Sequence, residues 1–164
     1  MKTIKFLAPV IAAFLLISCK PSPEKARLFN DQIIDEQVKV QEKENDLVSK
    51  ISEGNPETCT QALSDFMSQV RMSTIIISAL PKFDKKDDFK NATLKFFDVY
   101  KACGENEYKQ VIELYKKGDD YNKDDENKAN ELLTAKAEKK KAAFEAFSAF
   151  QQTFANEYKY KISR

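Results

Sequence analysis

The chain of 164 residues contains no histidine and no tryptophan, and only three glycines, five prolines and three cysteines. Without histidine it lacks both the commonest general base and the commonest metal ligand, and no serine has an imidazole to activate it. Its few glycines form no Gly-rich loop that could cradle a phosphate. Lysine and arginine (27) nearly balance aspartate and glutamate (26), so there is none of the basic excess that nucleic-acid binding calls for. The acid pairs Asp35/Glu36, Asp87/Asp88 and Asp119/Asp120 fall in turns or on polar helix faces, where such pairs are ordinary surface residues. No catalytic residue and no cofactor is expected.

What the chain does have is charge (32%) offset by 12 Phe and 6 Tyr, which favours a folded domain over disorder. Strand-like alternation is almost absent. After residue 23 only Gly54, Pro56, Pro81, Gly104 and Gly118 interrupt long stretches of good helix formers. The spacing predicts helices over about 24–53, 57–80, 86–117 and 125–161. Ala26, Phe29, Ile33, Val40, Leu47 and Ile51 form one stripe, which Gln37 and Glu44 interrupt, so loose packing is expected at mid-helix. Leu63, Phe66, Val70, Ile77 and Leu80 form the second stripe, widened by Met67, Ile75 and Ile76. Phe89, Phe96, Tyr100, Cys103, Val111 and Leu114 form the third, with a kink or break expected at Gly104. Ala129, Leu133, Ala143, Phe147, Phe150, Phe154 and Tyr158 form the fourth, while Lys136 and Lys139–Lys141 read as a solvated face. Short connections favour antiparallel neighbours, hence an all-α, elongated up-down-up-down four-helix bundle over residues 24–164.

The first nineteen residues have a different character. Lys2 and Lys5 precede an apolar run, Phe6 to Ile17, that ends in Leu16-Ile17-Ser18-Cys19. This is the three-part plan of a bacterial secretory signal, and its end resembles the lipobox of lipoprotein precursors. That resemblance implies diacylglycerol on the Cys19 thiol, cleavage after residue 18, and a short tether over 19–23. The competing reading is a spanning anchor, but a run of about a dozen residues falls short of the ~20 required. Removing residues 1–18, with their two lysines, leaves 146 residues and a formal charge of −1, enough chain for one domain with a real core.

With Cys19 taken by lipid, Cys59 and Cys103 remain as an even pair in a compartment where disulfides persist. If helices two and three turn near residue 83, the two cysteines lie within about one helical turn of level. A bridge would close about 45 residues and add ~4 kcal/mol; the alternative is two buried thiols. The turn 120–126 offers Asp120, Asn122 and Asp124, with Glu131 beyond, at the oxygen-donor positions of a calcium loop. Asp125 and Asn127 stand where that loop needs glycine and an aliphatic residue. The alternative is capping of the last helix by Asp124 or Asp125. Phe144, Phe147, Phe150 and Phe154 could line an apolar pocket or simply pack in the core.

The segment Arg27-Leu28-Phe29-Asn30-Asp31-Gln32-Ile33-Ile34-Asp35-Glu36-Gln37 is similar to the opening helix of small helical bacterial surface lipoproteins. That resemblance implies a domain of this size and class and brings no catalytic residues with it. The expected function is therefore a non-catalytic, lipid-anchored envelope protein with an interaction or structural role and an unspecified protein partner. The membrane is reached through the lipid, and no nucleic acid is involved. Lys20 follows the cysteine, where an Asp would resemble an inner-membrane retention signal, so the outer membrane is the expected address. The alternative function is a small-ligand or Ca2+ binder using the 119–131 turn or an apolar cavity.

Overall fold

Three of the helices begin where the sequence supplies a side-chain cap. In the computed structural model, which describes residues 21–162, α1 spans Pro23–Glu53, with the Ser22 hydroxyl accepting from the Lys25 N–H at 3.3 Å and proline in the first turn. Gly54 closes it at φ 74°, a left-handed conformation that glycine adopts without cost. Asn55 then caps α2 (Pro56–Ala79). A loop leads to α3 (Asp88–Cys103), which passes through a π-helical segment (Gly104–Tyr108) into α4 (Lys109–Tyr115). A 3-10 turn (Gly118–Asp120) precedes α5 (Lys123–Tyr158). At 1.5 Å per residue α5 runs about 54 Å and α1 about 46 Å.

The helices pack in chain order. α1 lies against α2, α2 against the α3–α4 arm, that arm against α5, and α5 back against α1. This is an all-α, up-down-up-down bundle of four helical arms, as short connections between amphipathic helices dictate. Among the described residues no helix is long and apolar enough to cross a membrane. The leader 1–18 and Cys19 lie outside the described residues.

All six apolar stripe residues of α1 are buried, as are Phe66, Val70 and Ile77 of α2. Aromatic rings fill the other side. Phe154 meets Phe29, Phe83, Phe89 and Tyr158, and Phe147 meets Phe89 and Phe96. Burying such a side chain contributes roughly 1.5–3 kcal/mol. Four apolar side chains depart from the expected core. Ile75 and Ile76 are exposed on α2, and Phe144 and Phe150 are exposed on α5. The α5 stripe continues from Phe147 to Phe154 through the half-buried Gln151, which donates to Asn30 at 2.9 Å, and this turns Phe150 aside.

The third arm does not break at Gly104; it continues there as a π segment. A side chain at residue 104 would run into Met67 and Phe66, so glycine permits the close approach of the two arms. That approach also sets the register. Phe66 meets both Tyr100 and Tyr108 at 6.0 Å, so α2 and α3 turn about residue 85 rather than 83. Cys103 is thus level with Phe66 and Met67, and Cys59 lies about two turns further along α2, beside Tyr115. Two turns is ~11 Å, beyond the ~7 Å that a disulfide tolerates between Cα atoms. The expected bridge is accordingly not formed. Both cysteines are buried free thiols, and Cys59 donates to the Lys50 carbonyl at 3.1 Å.

In the chain from Lys20 onward, both thiols should therefore react with a thiol reagent after denaturation without reductant, and neither should react rapidly beforehand. Mass spectrometry of non-reduced peptides joining Cys59 to Cys103 would contradict this register.

Candidate functional site

The residues that interrupt the apolar stripes meet one another inside the bundle. Glu44, 1% exposed, faces inward from the middle of α1. The buried Tyr108 hydroxyl donates to its Oε1 at 2.8 Å, Lys140 pairs with its Oε2, and the Lys136 ammonium lies 4.0 Å from Oε1. Lys136 also sits over the Tyr108 ring and Lys140 over the Tyr100 ring, at 4.9 and 5.0 Å. The expected loose middle of α1 is instead a buried charge cluster. Of the lysines expected on a solvated face, Lys136 and Lys140 turn inward, because Leu133, Lys136, Lys140, Ala143 and Phe147 share one helical stripe, whereas Lys139 and Lys141 are exposed as expected. Lys139 pairs with the buried Glu107 of the π segment.

Two more polar links join the arms. Ser73 of α2 donates to Glu36 Oε2 of α1 at 2.7 Å and accepts from Gln69 at 2.9 Å. Asn30 and Gln151 join α1 to α5. Each link satisfies groups that burial would otherwise penalise by roughly 1–3 kcal/mol.

Above the cluster lies an open groove of about 480 Å³, lined by Phe96, Tyr100, Lys136, Lys140, Lys141 and Phe144 among others. Its lysines do not make an anion site, because the charge of Lys140 is committed to Glu44 and that of Lys136 is shared with it. Lys141 alone faces solvent. Nor does the cluster offer an acid–base pair. Both Glu44 oxygens accept from neighbours. Burial, then the negative charge of Glu44, holds the Tyr100 and Tyr108 phenols far above their ordinary value. Burial, followed by Glu107 and Glu44, pushes the Cys103 thiol up to about 11, away from a reactive thiolate. Burial lowers the Lys136 pKa, and Glu44 only partly restores it.

The acidic turn is a capping structure. Asn122 accepts from the N–H groups of Asp124 and Asp125 at 2.9 and 3.2 Å, and Asp125 accepts from the Asn122 N–H at 3.3 Å, a reciprocal capping box. Asp125 also pairs with Lys117 at 2.6 Å. The cap is thus Asn122, closed by Asp125, rather than Asp124 or Asp125 alone. Of the four candidate calcium donors, Asn122 is used in this cap. Glu131 lies on α5, about 10 Å along the axis from Asp124 and paired with Lys128. Asp120, Asn122, Asp124 and Glu131 therefore do not converge. Among the described residues no group of three or more acidic or cysteine side chains is placed to hold a metal ion.

No protein-family model, no curated protein and no solved structure matches this chain.

The cluster has a consequence at high pH. Cys103, Tyr100 and Tyr108 have folded-state pKa values raised above those of the unfolded chain. Their contribution to stability is whole below the unfolded values and is lost as pH rises through the folded ones. Each group tilts the profile by up to ~1.4 kcal/mol per pH unit. Lys136 works in the opposite sense, one lysine against a thiol and two phenols. Unfolding free energy measured by denaturant titration should hold level up to about pH 8 and fall steadily above about pH 9. A flat profile through about pH 11 would contradict the burial of these groups.

Proposed function

We propose that this protein is a non-catalytic, lipid-anchored helical bundle of the bacterial cell envelope. Its role is structural or interactive, exercised through contact with another envelope component. The observation that carries this reading is the leader ending in Leu16-Ile17-Ser18-Cys19, set immediately before the Ser22-Pro23 cap of α1. Only residues 20 and 21 separate the acceptor cysteine from a capped helix, so the lipid holds one end of a rigid rod rather than a swinging domain. Two or three acyl chains on that cysteine anchor stably where a single chain does not.

The non-catalytic part of the reading is supported by the use of the buried ionisable groups. Glu44, Lys136, Lys139, Lys140 and Glu107 are engaged in joining helices. The interactive part is supported by Met72, Ile75 and Ile76, which expose 42–61% of their surface on α2 and leave apolar area for a partner. With Lys20 after the cysteine, the outer membrane is the proposed address.

Growth on labelled palmitate tests the anchor. The wild-type protein should carry label and sediment with membranes, and Cys19→Ser should abolish the label and leave the leader uncleaved. Unlabelled wild-type protein recovered from the cytosol would overturn the proposal.

A further inference from the structure

The start of α1, the α2–α3 loop and the end of α5 meet at one end of the bundle, where the tether leaves it. Pro21, Phe83, Phe89, Phe150 and Phe154 contribute to an open groove there of about 610 Å³. Phe150 is 43% exposed. Lys82, Lys85 and Lys86 stand exposed on the groove's lining and Lys159 stands exposed at the adjoining helix end; none of the four forms an ion pair among the described residues.

Of the acids at this end, Asp84 and Asp87 are engaged within the fold, whereas Asp88 and Glu157 stand exposed. Asp84 accepts from the N–H groups of Lys86 and Asp87 at 2.9 and 2.6 Å and from the Tyr158 hydroxyl at 2.9 Å. Asp87 is buried beside Lys90 at 3.5 Å. Asp88 and Glu157 are the other two acids of the groove. The far end has the opposite character. Glu53, Glu57, Asp119, Asp120 and Asp124 are exposed there, and Lys116, Lys117 and Lys123 are each tied to an acid. The two ends of the rod therefore differ in charge: exposed lysines outside any ion pair among the described residues stand together at the tethered end, and exposed acids predominate at the far end.

We infer that this end docks on the anionic phospholipid headgroups of the bilayer, with Lys82, Lys85 and Lys86 on the phosphates and Phe150 at the interface. The inference rests on the lipid-anchor reading for its geometry. Cys19 and Pro21 are two residues apart, so an acylated Cys19 holds the groove's rim within about 7 Å of the attachment point. Cations near an anionic leaflet are drawn to it, and an aromatic ring at headgroup depth adds to the binding. The three lysines and Phe150 occupy the face that the short tether presents to that leaflet.

The test uses the chain from Lys20 onward, which carries no lipid. It folds on its own because the core and the helix caps lie wholly within residues 22–160. It should sediment with vesicles of equal phosphatidylglycerol and phosphatidylcholine, be released by salt, and not sediment with phosphatidylcholine alone. Lys82→Gln/Lys85→Gln/Lys86→Gln should weaken that binding about tenfold with an unchanged melting temperature. Lys43→Gln/Lys95→Gln/Lys109→Gln, which removes the same charge from the sides of the rod, should leave binding as it was. Phe150→Asp provides a second variant at the docking face and should also weaken it. Failure to bind anionic vesicles, equal binding to neutral ones, or equal losses in the two triple variants would overturn the inference. Because no acyl group is present, these results are independent of whether Cys19 is acylated in cells.

Discussion

A single buried carboxylate holds the middle of this bundle together. Glu44 comes from α1, the Tyr108 hydroxyl from the π segment, and Lys136 and Lys140 from α5. Helices that could slide along greasy stripes are fixed in register, because a shift of one turn would leave a charge buried without its partner. Removing one member of such a pair costs about 3–5 kcal/mol, although the intact pair contributes little net stability. The π segment belongs to the same arrangement. Gly104 lets the third arm approach Phe66 and Met67, and within the segment both Tyr108 and Glu107 face inward.

The same arrangement bears on function. Of the two carboxylates, three lysines, two phenols and one thiol gathered here, each oxygen of Glu44 is taken and the phenols and the thiol are held protonated. The ionisable groups in the interior specify the fold. The two ends of the surface differ. One bears Lys82, Lys85 and Lys86 beside an aromatic groove lined by Pro21, and the other bears exposed acids.

Much of the architecture was legible in the sequence, because caps and stripes are local signals. Ser22-Pro23, Gly54-Asn55-Pro56 and the α1 stripe mark the helix ends and the buried face that the structure displays. Long-range register was not legible. Counting from a turn at residue 83 placed Cys59 near Cys103, whereas the loop through the left-handed Asp87 turns the chain about residue 85. The charge cluster did leave a trace, since Glu44 interrupts one stripe and Lys136 with Lys140 fills the gap between Leu133 and Ala143 in another. Read as two defects, they suggested loose packing and a solvated face; read together, they complement each other. Phe150 misled for the same reason: helical spacing alone cannot say which edge of a stripe a neighbouring helix covers. The capping box was partly visible as an acidic turn, but Asn122 rather than Asp124 or Asp125 carries it.

The most direct measurement of this account is a double-mutant cycle between Glu44 and Lys140. Glu44→Gln, Lys140→Met and the double variant would each be unfolded in denaturant at neutral pH. Each single change should destabilise the chain, and the double variant should recover about 1–3 kcal/mol of the summed loss. Losses that simply add would show that the two side chains do not meet and would contradict the buried cluster on which the rest depends.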